Sequence, residues 1–212
     1  STSHPIRMKR LLSVFALAGL ATAPLSAQVI YSDDFSGTGN LDGTAPDVRP
    51  GTETWSANTA AFDADGTVVN TSSKGGAWLP FTPVTGTIYR LSAEVNVTQA
   101  DANDRWITLG FAGKNSTSES FVDSGVDGFG TLMSRESGNI VAWRGWRNTG
   151  GDTETSMADG VHSIDITFDA SDANQANWTM SWRVEDILNN VYTWDNQPVN
   201  QPSSIAYSQI SY

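Results

Sequence analysis

Apolar and polar residues alternate with a period of two over much of this 212-residue chain, and that pattern admits strands and little else. Over residues 89–98, Tyr89, Leu91, Ala93, Val95 and Val97 fall on one side, and Arg90, Ser92, Glu94, Asn96 and Thr98 on the other. Successive side chains of a strand point to opposite faces, so this segment predicts a strand with one buried face. The same alternation places Ile107, Leu109 and Phe111 inward over residues 106–111, and Ile164, Ile166 and Phe168 inward over residues 162–168. Trp178, Met180, Trp182 and Val184 share one face over residues 178–184. Shorter strands are predicted at 29–31, 60–62, 67–70, 77–81, 130–134, 140–146, 190–194 and 204–207. Turn-rich stretches lie at 36–40, 63–66, 72–76, 148–152 and 169–174. After residue 27, no stretch of twelve residues carries a helical stripe. Many short strands at this spacing predict an all-β domain, an antiparallel sandwich or jelly roll, with no repeat or linker to divide it.

Residues 8–27 break the alternation. Met8, Lys9 and Arg10 form a basic start, residues 11–20 (LLSVFALAGL) an apolar run, and residues 21–27 (ATAPLSA) a small-residue segment. That three-part order is the pattern of an export leader, with cleavage expected after Ala27. The apolar run is about half of the roughly 20 residues that a membrane-crossing helix needs, so no stable span is expected. The expected division is therefore 1–27 as upstream residues and signal peptide, and 28–212 as the domain. The protein is expected to be secreted or displayed at the cell surface. The chain ends within the apolar pattern Ile205, Tyr207, Ile210, Tyr212, so a C-terminal continuation is also expected.

The chain holds 23 acidic and 12 basic residues. Removing the leader takes Arg7, Lys9 and Arg10 and no acid, leaving nine against 23 and a net charge of −14. Such a surface repels phosphate backbones and argues against nucleic acid as a partner. The absence of cysteine excludes disulfides, thiolate catalysis and thiolate-bound zinc, so an exported domain of this kind must rest on its core. Eight Trp, eight Phe and five Tyr supply one.

The order of short phrases is informative. Asp33-Asp34-Phe35-Ser36-Gly37 follows the first strand, then Glu53-Thr54-Trp55, then Ala61-Phe62-Asp63-Ala64-Asp65-Gly66. The 89–98 strand comes next, then Gly160-Val161-His162-Ser163-Ile164-Asp165-Ile166 and Asn177-Trp178-Thr179-Met180. This series resembles the concanavalin A-like lectin/glucanase superfamily, especially the laminin G-like jelly rolls of exported bacterial proteins. The resemblance spans most of residues 28–212 and contains no diagnostic catalytic motif. It implies a concanavalin A-like antiparallel jelly-roll β-sandwich, carbohydrate binding, and a sorting tail of the PEP-CTERM type beyond Tyr212.

Candidate chemistry is sparse. Glycoside hydrolysis needs two carboxylates flanking the bond, about 5–5.5 Å apart for retention and about 6.5–9.5 Å for inversion. Glu94 and Asp165 each stand alone on the polar side of a strand, and Glu185 and Asp186 are adjacent and so on opposite faces, which leaves only a pair assembled across strands. His162, the one histidine after the leader, shares parity with Ile164 and Ile166 and is expected at the core edge; no Gly-x-Ser-x-Gly elbow accompanies it. No catalytic residue is assigned, and a polysaccharide hydrolase or lyase stands as the alternative to a binding protein. A structural surface protein without a small ligand is a third reading.

For sugar, an aromatic ring offers an apolar face to pyranose C–H groups while polar neighbours fix the hydroxyls. Trp143, Arg144, Trp146 and Arg147 within IVAWRGWR are the candidate ligand-binding residues, set against a core and a rim tryptophan. The partner expected is a polysaccharide or extracellular matrix. Ca²⁺, which takes carboxylate and carbonyl oxygens on turns, is the metal that suits the acidic turns. Asp63 and Asp65 rank first, ahead of Asp101, Asn103 and Asp104 and of Asp169, Asp172 and Asn174. Against each stands the ordinary use of Asp and Asn in turns.

Overall fold

The computed structural model describes residues 13–18, 27–59, 62–64, 75–97, 105–113, 128–136, 140–147, 150–151, 155–157, 160–199, 202 and 204–211. Fourteen strands account for most of them: β1 (Ser13–Ala18), β2 (Gln28–Tyr31), β3 (Ser56–Ala57), β4 (Gly75–Pro80), β5 (Thr87–Val97), β6 (Arg105–Ala112), β7 (Gly128–Glu136), β8 (Ile140–Arg147), β9 (Gly150–Gly151), β10 (Thr155–Met157), β11 (Gly160–Ala170), β12 (Thr179–Glu185), β13 (Val191–Pro198) and β14 (Ser204–Ser211). The described helix is a single 3-10 turn, Gln175–Asn177. No described helix is long and apolar enough to cross a membrane.

The strands form two antiparallel sheets. One runs β13-β12-β11-β5-β1-β2; the other runs β10-β8-β7-β6-β14-β4-β3, with β9 also on β8. The long alternating segments lie at the centre of the first sheet. β5 and β11 pair without a break, with Leu91 opposite Ile166 and Tyr89 opposite Phe168. Thr87, Tyr89, Leu91, Ala93 and Val95 of β5 are buried, as are His162, Ile164, Ile166, Phe168 and Ala170 of β11 and Met180, Trp182 and Val184 of β12. The two sheets meet through aromatic rings: Phe168 lies 5.4 Å from Phe111 of β6, and Phe81, just after β4, lies 4.9 Å edge-on to Tyr89. The all-β expectation therefore holds, in antiparallel sheets packed on a shared core.

Several segments differ from the expectation. Residues 148–152 are expected as a turn, yet Gly150–Gly151 adds two residues of pairing to β8. Of the strand expected over 60–62 only Phe62 is described; it is buried, and the next residue, Asp63, forms an isolated bridge with Asn40. The segment expected at 67–70 lies outside the described residues. Ser13–Ala18, at the centre of the expected leader, occupies a strand position between β5 and β2.

Turns hold the sheets in register by specific hydrogen bonds. Between β12 and β13, the Asp186 carboxylate accepts from Leu188 N at 2.9 Å, Asn190 N at 2.8 Å and Asn190 Nδ2 at 2.9 Å, while Asn189 takes a left-handed φ of 62°. Burial raises the Asp186 pKa, but the Asn190 and Leu188 donors and the charge of His162 outweigh it, so the net shift is downward. Ile187 from this turn lies over Gly160, whose φ is +135° and where an added Cβ would sit 3.0 Å from Ile187 Cδ1. Gly160→Ala is expected to cost about 1–3 kcal/mol, most of it backbone strain. Thermal unfolding of Gly160→Ala with and without Ile187→Ala separates the two causes: if strain dominates, the second change restores little.

Candidate functional site

Residues 32–55, between β2 and β3, form an irregular segment, and it creates the densest group of acids among the described residues. Ser32 and Val48 exchange backbone hydrogen bonds at 3.0 and 3.1 Å, which brings Asp47 alongside Asp33 and Asp34. One carboxylate oxygen from each of Asp33, Asp34 and Asp47 lies within 4.8 Å of the others. Asp34 N donates to Asp47 Oδ2 at 3.1 Å, and Asp34 Oδ1 accepts from Ser36 N at 2.8 Å. Asp33 is buried and accepts from Phe35 N at 2.8 Å and from the Trp55 indole N–H at 2.6 Å. Phe35 between them has φ 53° and packs its ring 5.7 Å from that of Trp55.

The three acids are electrostatically unequal. Burial raises the Asp33 pKa; the Trp55 and Phe35 donors pull it down, Asp47 and Asp34 push it up, and the net shift is upward. The exposed Asp34 is shifted down, chiefly by its hydrogen bonds with Ser36. Divergent pKa values in a pair of carboxylates resemble an acid–base pair. Here, however, both Asp33 oxygens are engaged by groups of the protein's own core. The donor set is of the hard oxygen type that suits Ca²⁺, which needs six to eight oxygens. Asp34 and Asp47, both exposed, retain lone pairs for such a role.

The residues singled out from sequence fall in different places. Trp143, Arg144, Trp146 and Arg147 lie on β8, whose backbone register with β7 is unbroken: Trp143 pairs with Met133, Arg144 with Leu132 and Trp146 with Gly130. Their side chains lie outside the described residues. β12 approaches β7, and β8 and β13 are the next strands outward in their respective sheets. On β13, Tyr192 and Trp194 are half-buried and packed against the core, with exposed Thr193, Asp195 and Asn196 between and beyond them. Asp63 is half-buried at the Asn40 bridge, and Asp65 lies outside the described residues. Asp101, Asn103 and Asp104 also lie outside them.

The turn at Asp169, Asp172 and Asn174 is built on its own hydrogen bonds. Asp169 Oδ1 accepts from Ser171 N, Asp172 Oδ1 from Asn174 N, Asp172 Oδ2 from Asn177 Nδ2, and Asn174 Oδ1 from Ala176 N. The bonds from Asn177 and Asn174, in that order, hold the Asp172 pKa below the usual carboxylate value.

On the outward face of the first sheet, Glu94 lies opposite Ser163 and Asp165 opposite Ser92, so the two acids are diagonal neighbours across β5 and β11. Diagonal positions on paired strands are about 7–8 Å apart at the backbone. Asp165 Oδ1 accepts from Arg90 Nη2 at 2.7 Å, Arg90 Nε at 3.0 Å and Ser92 Oγ at 2.6 Å. Sequence reasoning finds each acid but not the pairing, because the β5–β11 register is set by distant residues. His162 is fully buried on the inner face of β11.

No protein-family model, curated protein or solved structure matches the chain.

Proposed function

We propose that the chain is an exported, concanavalin A-like jelly-roll β-sandwich whose role is non-catalytic binding of a glycan or of extracellular matrix. What supports this reading is the place of β8 and β13, each the next strand outward from the β7–β12 approach. One strand bears Trp143, Arg144, Trp146 and Arg147, and the other the half-buried rings of Tyr192 and Trp194. Aromatic faces beside guanidinium, amide and carboxylate groups suit a sugar's alternating C–H and hydroxyl surface. The net acidity of the chain favours neutral glycans over polyanions. Ca²⁺ in this reading is a structural ion, held by Asp63 with Asp65 or by Asp34 with Asp47.

The test is binding of the domain from Gln28 onward to a polysaccharide panel, with Ca²⁺ and again with EDTA. Trp143→Ala or Trp146→Ala is expected to weaken binding about tenfold, equivalent to roughly 1.4 kcal/mol, while the circular dichroism spectrum is unchanged. Unaltered binding in both folded variants removes β8 from the site. A folded domain that binds nothing in the panel supports a structural surface role instead.

A second reading rests on the diagonal placement of Glu94 and Asp165: hydrolysis of a polysaccharide. Release of reducing ends from the panel, lost in Glu94→Gln, is the outcome that would favour it.

A further inference from the structure

We propose that the place between β5 and β2 is a strand-acceptor site, opened when the leader is removed and filled by an extended apolar segment of a partner polypeptide. The inference rests on the export reading of residues 8–27. Ser13–Ala18 occupies this place, antiparallel to both neighbours, pairing with β5 from Ser13 opposite Ser92 to Ala18 opposite Thr87. On its other side it pairs with β2, with Val14 opposite Tyr31 and Ala16 opposite Gln28. Cleavage after Ala27 takes out the whole strand and leaves its two neighbours about 10 Å apart, twice the ordinary interstrand spacing.

β5 is held along its length, and β2 at its C-terminal end. β5 is held on its far side by eleven residues of β11, from Gly160 opposite Val97 to Ala170 opposite Thr87. β2 is anchored away from β5: the Tyr31 hydroxyl donates to Pro80 O at 2.7 Å at the end of β4, and Ser32 pairs with Val48. The vacated place is an internal slot with a row of unpaired N–H and C=O groups on each wall. Such rows are templates for another strand. The inward residues of β5 beside it include Tyr89 and Leu91, 2% and 0% exposed.

The slot also describes its occupant. At the register positions beside the inward residues Leu91, Tyr89 and Thr87, the leader places Val14, Ala16 and Ala18. The fitting segment is thus extended, uncharged, free of proline, and small beside Tyr89 and Thr87. A partner with basic residues flanking that segment also complements the acidic chain, as Lys9 and Arg10 flank it in the leader.

The experiment begins with the mass of the exported protein, which shows whether residues 13–18 remain. If they do, β1 is a permanent strand and both the export cleavage and the acceptor site are refuted. If they are gone, hydrogen exchange is followed at the β5 amides of residues 87–92 in the cleaved protein, alone and with a synthetic peptide of residues 11–20 carrying a solubilising lysine tail. Fast exchange alone, slowed at least tenfold by the peptide but not by its Ala16→Pro version, is the expected result. Two results overturn the proposal while leaving export intact: β5 amides already protected without peptide, because β2 has closed onto β5, or equal effects of the two peptides.

Discussion

Phe168→Ala is expected to destabilise the domain by about 3–5 kcal/mol, the range for removing a large aromatic side chain from a packed interior. Phe168 has no exposed surface and stands where the two sheets meet. Its ring stacks on Tyr89 at 5.9 Å, meets Phe111 at 5.4 Å and Trp178 edge-on at 5.6 Å, and lies 6.4 Å from Phe81. Truncation leaves a void bordered by four rigid rings drawn from both sheets and from the turn before β12. Such rings cannot swing inward, whereas Met180, opposite Phe168 on β12, is flexible enough to fill part of the void. Phe168→Leu keeps most of the volume and is expected to lose less than half as much. Urea unfolding of both variants tests this; a loss below about 1 kcal/mol in the alanine variant would mean that Phe168 does not join the sheets.

Asp33→Ala is expected to cost about 2–4 kcal/mol, through two buried donors left without an acceptor. The Trp55 indole N–H and the Phe35 amide both end on this carboxylate, and Trp55 is 2% exposed. Relief of the buried charge offsets part of the loss, which keeps the figure below the sum of two charged hydrogen bonds. The pH dependence carries the signature. Because the native Asp33 pKa is raised, the native state binds this proton more tightly than the unfolded chain does. The Asp33 contribution to stability therefore falls as pH rises from the ordinary carboxylate value through the raised native one. Asp34, shifted down, acts in the opposite sense: its contribution is present above the ordinary value and is lost as pH falls through the lowered one. The difference between wild type and Asp33→Ala, measured from pH 3 to 8, should isolate the first trend. A parallel pair of curves would refute it.

What was legible in the sequence is what local burial dictates. The alternation at Tyr89, Leu91, Ala93 and Val95 follows from one face meeting the core, and the buried faces of β5, β11 and β12 match it residue by residue. The parity of His162 likewise placed it with Ile164 and Ile166. Sites that depend on distant pairing were not legible. Asp47 joins Asp33 and Asp34 only because Ser32 bridges Val48, and nothing near either residue encodes that bridge. The diagonal of Glu94 and Asp165 needs the β5–β11 register. β3, β9 and β10 are two or three residues long, too short for any period to show. The turn acids at Asp169 and Asp172 illustrate the converse: a ligand-like cluster whose oxygens serve the backbone around them.

The position of β11 in the first sheet has a kinetic meaning. β5 finds its long partner only when a segment 75 residues further along arrives, as the Arg90–Asp165 pair shows, and β14 inserts between β6 and β4 only when the last described strand is made. Closing such loops precedes any gain from the contacts they bring, and domains dominated by non-local strand pairing fold in roughly milliseconds to seconds. A nascent chain can therefore present β5, β6 and β7 while the central ladder still lacks its second half. The central ladder closes only after Ala170 is made, and β14 joins β6 and β4 last among the described strands.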